Sequence, residues 1–573
     1  MEYIFDGFWL PKDLREKFIT PNTNWEIQYH KNGLPSSADT AGAIGARWPL
    51  FSKKQWKQIL KSLKGRKGVA DGDFLNQMQA AILSLSERFN DPQDPLSQAA
   101  LSILPNYTGF SRQMIEFTLN ALDLTPLDTL AQALKTKIPT QAKRKFVAFE
   151  NLSGRVRFYP SGIKKIFSQA LPNLKTLMSF KADHPRFVLG YAAGNVIGTS
   201  QLIALLGQLS AYVQVEEPPS FPIPPVLIKN SRREPLFTPI LFSALEDFDS
   251  TLVDSVALLV WDYEDIALQE MLIKQADLVI AAASDDTIEQ IDAIVKKVQT
   301  KKHPIRFHKH GHKVSFTTIG ETYLQKETKT SQTEQTPFID IVTLLSAVDS
   351  AFWDQYGCLS SRIHFVETNG KMKFTGVEYG MALTEKMRLL SVFLPRSASI
   401  PLSQVHNRFE GFSALTTTGK LHLCSTYSDD FIVAVDERPW PPPVFHNLVN
   451  TCVQRTIIVR PVSSILEITN RYLRWIPPEN LQTMSTAIDG PLLENWSNKF
   501  TEFANRLGKC GVTAIRTIGR GAFPFLAYSW DGYLPQDLSA KRQPGHFTTV
   551  EFDSNYKHIM DTYALYQKRG LQK

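Results

Sequence analysis

Between residues 185 and 325, four almost uninterrupted apolar runs are separated by amphipathic segments, and this pattern constrains the chain more than any other feature. The runs are Arg186-Phe-Val-Leu-Gly-Tyr-Ala192, Pro225-Val-Leu-Ile-Lys229, Ser255-Val-Ala-Leu-Leu-Val-Trp261 and Ala276-Asp-Leu-Val-Ile-Ala-Ala282. A strand that faces solvent on one side alternates apolar with polar residues. A strand without that alternation is covered on both faces, and helices between such strands supply the cover. The expectation is an α/β fold with a parallel sheet, whose ligands bind beyond the carboxyl ends of the strands.

The chain has 573 residues, 43% of them hydrophobic and 21% charged, which predicts a globular protein of two or three domains. Its four cysteines, at 358, 424, 452 and 510, include no CxxC pair. Neither a disulfide framework nor a structural zinc site is therefore indicated, and a reducing cytoplasm fits best. Met1-Glu-Tyr-Ile-Phe-Asp-Gly7 lacks the basic start and apolar run of a signal peptide. Residues 187–215 carry no charge over 29 positions, but four glycines and several amides and hydroxyls there read as strand, turn and packed helix rather than a membrane span. A net charge of +7 suits phosphate-bearing ligands without indicating nucleic acid. Lysines and arginines do cluster over 53–67, with Trp56, Ile59, Leu60 and Leu63 interleaved at helical spacing. Such a basic amphipathic helix is a solvated surface element or, alternatively, a peripheral contact with an anionic membrane or acidic partner.

Residues 1–70 read as irregular, with strand-like patches, and residues 73–135 as an N-terminal helical region broken at Pro92, Pro95, Pro105 and Gly109. The polar stretch 326–337 has the composition of a loop or linker, after which a helix-like run delivers the chain to Cys358. Four segments follow: an extension over 1–70, a helical and α/β region over 71–337, a segment over 338–480 that carries Cys358, and a C-terminal segment over 481–573 that packs on the α/β region or forms an oligomer interface.

A free cysteine is ordinarily a small buried hydrophobe. Cys358 has a different setting, at the junction of a helix-like segment and the strand-like Arg362-Ile-His-Phe-Val-Glu367, within Gln355-x-Gly357-Cys358-x-x-x-Arg362. Upstream, in order, come Gly194-Asn-Val-Ile-Gly198, Lys229-Asn-Ser-Arg-Arg-Glu-Pro235, Ala281-Ala-Ala-Ser-Asp-Asp-Thr287 and Gly311-His-Lys-Val-Ser-Phe316. His308, His310 and His312 would share one face of a strand, yet no cysteine or paired carboxylate accompanies them, so no metal is expected.

Together these motifs resemble the aldehyde dehydrogenase superfamily, most closely its fatty acyl-CoA reductase branch, to which the reductase component of the bacterial bioluminescence complex belongs. The resemblance is strongest over 185–370 and looser over 73–135 and at Cys510-Gly-Val-Thr-Ala-Ile-Arg516. It implies a Rossmann-type cofactor domain joined to an α/β catalytic domain. It makes Cys358 the nucleophile and Asn195 an amide donor to the oxyanion formed when the thiolate attacks a carbonyl.

Lys229 and Ser231 match the superfamily's Lys-Pro-Ser-Glu turn, where the lysine contacts the adenosine ribose of the nicotinamide cofactor. Asn230 replaces the proline and Arg232 the glutamate, and an arginine there pairs with a ribose 2′-phosphate, which favours NADPH. The resemblance implies that Ser284 and Thr287 lie beside the nicotinamide and that Gly311 and His312 are also cofactor contacts, with His312 a contact to a phosphate or to CoA. Aldehyde-oxidising members carry Glu-Leu-Gly-Gly-Lys where this chain has Lys309-His-Gly-His-Lys313, so the base that activates water is missing and reduction of an acyl group is favoured.

The resemblance therefore implies NADPH-dependent reduction of a fatty acyl-CoA to the aldehyde by a cytoplasmic homo-oligomer, with an acyl-protein synthetase or acyltransferase as a further partner. Two alternatives stand beside it. An aldehyde-oxidising dehydrogenase would draw its base from Glu321 or Glu378, and a non-catalytic subunit would carry acyl chains or bind a partner.

Overall fold

In the computed structural model, the described residues are 3–66, 68–70, 74–120, 140–149, 154–160, 184–210, 221–324, 327–329, 335–368, 375–488, 497–523, 527–538, 545–551 and 556–566. The 121–135 end of the helical stretch, Lys67, and the 330–334 part of the polar stretch lie outside them. The chain forms two compact units. The first comprises residues 1–137, 173–312 and 533–543, and the second 138–172, 313–532 and 544–573.

The four apolar runs do form strands in the first unit. Its five-stranded sheet has the order Val256–Leu259, Val226–Lys229, Val188–Tyr191, Leu278–Ala282, Arg306–His310, with every neighbouring pair parallel. Chain order reverses between Val188–Tyr191 and Leu278–Ala282, the switch point beyond which such sheets take ligands. Helices Thr199–Leu209, Phe237–Phe248, Ile266–Ile273 and Asp285–Val298 connect the strands.

The first 50 residues are more regular than the sequence suggests. They form a four-stranded sheet ordered Tyr3–Asp6, Ile44–Pro49, Trp25–Lys31, Leu34–Ser36. This sheet is tied to the cofactor-type sheet by Trp9, whose N–H donates to Leu258 O at 2.7 Å and whose carbonyl accepts from Leu258 N at 2.8 Å. The pairing covers part of an edge that would otherwise offer free backbone groups. The basic helix Lys53–Lys64 is capped by Ser52 with Gln55 and buries Trp56, Ile59, Leu60 and Leu63 in the same unit. Trp56 meets Trp261 edge to face at 5.5 Å. Among the described residues, no helix is long and apolar enough to cross a membrane.

The second unit is built on a ten-stranded sheet, with Ser361–Glu367 between Val314–Ile319 and Thr456–Val462. Val314–Ile319 also pairs with Leu481–Ala487, which binds residues 313–324 to this sheet and starts the second unit at Lys313 rather than at 338. The ends of the polar stretch, Glu327–Lys329 and Gln335–Pro337, pair with each other as a short antiparallel ladder. The C-terminal segment contributes strands Leu481–Ala487, Ala514–Thr517 and Gly545–Val550 to the sheet interior, and only residues 533–543 join the first unit. Helix Phe338–Ala351 is buried along nearly its whole length, and its apolar character follows from that position.

Candidate active site

The thiol turn lies wholly in the second unit. After helix Phe338–Ala351, the residues Trp353, Asp354 and Gln355 take left-handed backbone angles, with φ of 53°, 50° and 62°. Such conformations cost non-glycine residues free energy and persist where surrounding contacts impose them. Gln355 Nε2 donates to Ser361 O at 3.0 Å and Thr456 O at 3.1 Å, while its Oε1 accepts from Thr456 N at 2.7 Å. Asp354 accepts from Arg455 Nε at 2.6 Å and from Ser397 N at 3.0 Å. Arg455 Nη2 donates to Leu394 O at 2.6 Å, and both members of the ion pair are 0% exposed. Two adjacent strand starts are thereby clamped to the turn. Arg362, the last residue of the motif, donates to Val449 O at 2.8 Å.

Cys358 leaves this turn half-buried, and its carbonyl accepts from Ser315 Oγ at 2.8 Å. Burial pushes its thiol up to about 11, and the negative charge of Asp531 pushes the same way. A hydrogen bond from Gln482, the charge of Lys313 and its own backbone N–H pull it down. Gln482 Nε2 also donates to Asp531 Oδ1 at 2.5 Å, and Lys313 Nζ donates to Glu479 O. Burial raises the thiols of Cys424 and Cys452 too, to about 11 and about 12. Acidity does not distinguish Cys358 from the other cysteines, and Cys510 shares its intermediate burial; what sets Cys358 apart is its place on the clamped turn with Gln482, Lys313 and Asp531 around the thiol.

Lys313, Gln482 and Asp531 were not legible as thiol partners, because two of them lie more than 100 positions from Cys358. The carboxylate whose charge reaches the thiol is Asp531. Glu378 is spent on a helix cap, accepting from Thr375 N at 2.6 Å.

In the first unit, the turns expected to hold a cofactor follow the carboxyl ends of parallel strands. Gly194, beside the half-buried Asn195, approaches Ser231 so closely that a Cβ on it would stand 2.1 Å from Ser231 Oγ. Lys229 ends its strand, and burial lowers its amine to about 8, assisted by Arg232 and opposed by Asp262. Asn230, which stands in place of the superfamily's proline, is a buried knot. It accepts from Ser200 Oγ at 2.9 Å and donates to Pro235 O at 2.9 Å and Gly7 O at 3.1 Å. The substitution fastens the N-terminal sheet to the turn.

Buried Glu234 accepts from the N–H groups of Phe237, Leu236 and Gly198, and burial raises it to about 8. Gly198 starts helix Thr199–Leu209 at φ 89°, without a side-chain cap or an acidic residue in the first turn. The N-terminus of helix Asp285–Val298 differs. Ser284 Oγ accepts from Thr287 N at 3.4 Å, and Asp285 and Asp286 already offset the helix dipole. Asp285 Oδ1 accepts from His312 N at 2.7 Å and would lie 2.4 Å from a Cβ on Gly311, so Gly311, His312, Ser284 and Thr287 form one cluster.

Lys309 pairs with Asp292 at 2.7 Å, and the rings of His308 and His310 lie 4.3 and 5.5 Å from that of Tyr533. No group of metal-ligating side chains occurs among the described residues.

A cavity of about 310 Å³ opens beside Arg232 and is lined by Trp56, Phe51, Val260, Trp261, Asp262 and Lys53, among others. Trp261 Nε1 and Arg232 Nε are buried and have no hydrogen-bond partner among the described residues. Aromatic walls with unused donors and a cation suit the adenosine half of a nicotinamide cofactor, so the residues present fit that group.

The architecture is that of the aldehyde dehydrogenases, a class of oxidoreductases. Aldehyde dehydrogenase 21 from Physcomitrella patens, solved with the reaction product succinate, aligns with a TM-score of 0.53 and 11% identity over 98% of this chain and 97% of that one. The Δ-pyrroline-5-carboxylate dehydrogenase from Mycobacterium tuberculosis, solved with NAD and cobalamin, aligns with a TM-score of 0.53 and 10% identity, covering 96% of this chain and 90% of that one. Within that class, the chain belongs to the acyl-CoA reductase (LuxC) family, whose model matches residues 225–539. No curated protein sequence matches the chain.

Proposed function

We propose that the protein reduces a fatty acyl-CoA to the fatty aldehyde with NADPH through an acyl group carried on Cys358. The observation that carries the reading is a cysteine of intermediate burial on a rigidly clamped turn, in a chain of the acyl-CoA reductase family. The thiolate of Cys358 attacks the thioester carbonyl, and the CoA thiolate leaves with the electron pair. The side-chain amide of Asn195 and the backbone N–H of Cys358 donate to the oxyanion. Lys229, Ser231 and Arg232 would hold the adenosine end of the cofactor, and Ser284, Thr287, Gly311 and His312 would contribute to the rest of its site. NADPH, when bound, supplies the hydride that reduces the acyl carbonyl. The resulting thiohemiacetal on Cys358 loses its hydroxyl proton and collapses, releasing aldehyde and restoring the thiolate. Burial raises the thiol to about 11, so its proton must leave before attack, and the proton released balances the CoA thiolate, which ends as free CoA thiol.

The test mixes purified protein with palmitoyl-CoA and NADPH and follows both nicotinamide absorbance and aldehyde formation. Native protein should oxidise NADPH and form aldehyde, and Cys358→Ala should do neither. Absence of aldehyde across several acyl lengths and both nicotinamides overturns the reading.

Asp531 favours a second reading, oxidation of an aldehyde to the acid, because it brings a carboxylate within electrostatic reach of Cys358. Release of free acid from aldehyde and NADP⁺ without CoA, lost in Asp531→Asn, would select it.

A further inference from the structure

The lining of the adenosine-type cavity includes one residue that no motif pointed to. Glu26 lies on strand Trp25–Lys31 of the N-terminal sheet, 206 positions from Arg232. Its Oε2 accepts from Arg232 Nη2 at 3.1 Å and from Trp48 Nε1 at 3.0 Å. Its Oε1 has no protein partner among the described residues. The aldehyde dehydrogenase-like turn has exchanged its glutamate for Arg232, and the N-terminal sheet returns a carboxylate to the same place from elsewhere in the chain.

From this juxtaposition we infer that Glu26 is a specificity-determining residue of the adenosine site, selecting between a ribose 2′-hydroxyl and a 2′-phosphate. A carboxylate oxygen accepts a hydrogen bond from a hydroxyl but repels a phosphate, whereas a guanidinium pairs with a phosphate. With Glu26 present, Arg232 is partly neutralised and the cavity accepts both ribose forms. In Glu26→Gln, Arg232 loses its carboxylate partner while Asp262 and Asp265 stay in the lining, so the cavity becomes less negative by one charge and the 2′-phosphate gains. The N-terminal sheet thus has a function of its own, closing one wall of the cavity and setting its charge. Asn230 and Trp9, which tie that sheet to the cofactor-type sheet, keep the wall in position.

This inference rests on the reading of the first unit as nicotinamide-binding, and it is tested without turnover. ADP-ribose and 2′-phospho-ADP-ribose are titrated into the full-length protein, with quenching of tryptophan fluorescence as the readout, since Trp56 and Trp261 line the cavity. The ratio of the two dissociation constants should move toward the 2′-phosphate by about tenfold in Glu26→Gln, the scale of removing one partly exposed charge beside a phosphate. Glutamine retains an acceptor for Trp48 and so preserves the fold. Arg232→Ala should move the ratio the opposite way. An unchanged ratio in Glu26→Gln, or binding of neither ligand to native protein, overturns the inference. Failure of the palmitoyl-CoA assay with the ratio still shifting would overturn the reductase reading alone.

Discussion

Two turns carry the residues on which function depends, and they are held in opposite ways. The turn before Cys358 is anchored by Asp354 and Arg455, an ion pair at 2.6 Å with both side chains 0% exposed. The turn after Lys229 ends in Arg232, whose partner Glu26 stands at 3.1 Å with side chains 41% and 34% exposed. A buried pair leaves an uncompensated charge in a low-dielectric interior when one member is removed, so it permits a single geometry. A half-exposed pair exchanges with water at little cost, so a ligand can displace it. The protein fixes the nucleophile and leaves the charge around the adenosine site adjustable.

The sharpest way to break that contrast is to cut the buried pair. Arg455→Met should destabilise the second unit by about 3–5 kcal/mol, read as a fall in its denaturation midpoint, and should slow alkylation of Cys358 or make it heterogeneous. A loss below about 1 kcal/mol would show that Gln355, with its three hydrogen bonds to neighbouring strands, holds the turn unaided.

The adjustable turn also contains a buried carboxyl group, and its pH dependence refines the comparison. Glu234 is raised by burial to about 8, so the folded protein keeps this proton where the unfolded chain, near pH 4.3, has released it. Between those values the native state binds more protons, and stability should fall as pH rises through that window. Urea midpoints at pH 5 and pH 8 should differ less in Glu234→Gln than in native protein. An unaltered slope would mean that Glu234 remains ionised throughout.

Much of this arrangement was legible in the sequence, for physical reasons. Strands such as Val226–Lys229 and Leu278–Ala282 are covered on both faces, so their continuous apolar character marks them without any partner being known. Cys358 stood out because a helix-like and a strand-like segment meet at it. The N-terminal sheet was not legible, because Tyr3–Asp6, Trp25–Lys31 and Leu34–Ser36 are largely half-buried or exposed and mix polar with apolar residues, and Tyr3–Asp6 pairs with Ile44–Pro49 across most of the segment. Glu26, Gln482 and Asp531 escaped notice for one shared reason. Each acts on a residue more than 100 positions away, and no local spacing encodes such a meeting. The boundary after residue 312 was hidden because Val314–Ile319 looks like one more strand of the preceding series.

The thiol offers the next test. Asp531 is the second cause of the raised thiol, after burial, so Asp531→Asn should bring the pKa down from about 11. The pH midpoint of iodoacetamide alkylation should move to lower pH, and the rate at pH 7 should rise with the larger thiolate fraction, by about tenfold if the midpoint falls from pH 11 to pH 10. Lys313→Met should move the midpoint to higher pH. Both changes should be seen without acyl-CoA or nucleotide, which separates them from any effect on turnover. If Asp531→Asn instead abolishes reduction while alkylation quickens, Asp531 is the group that accepts the thiol proton.

The smallest effect is expected where the contrast began. Arg232→Ala removes a pair whose members are a third or more exposed, and the stability of the first unit should change by less than about 1 kcal/mol. Neighbouring contacts that do not depend on the guanidinium remain, since Asn230 still ties the turn to Gly7 and Pro235. Thermal midpoints of native and Arg232→Ala protein should therefore nearly coincide while their affinities for 2′-phospho-ADP-ribose separate. A large loss of stability would make Arg232 a structural clamp like Arg455, and the two turns would then differ in exposure but not in kind.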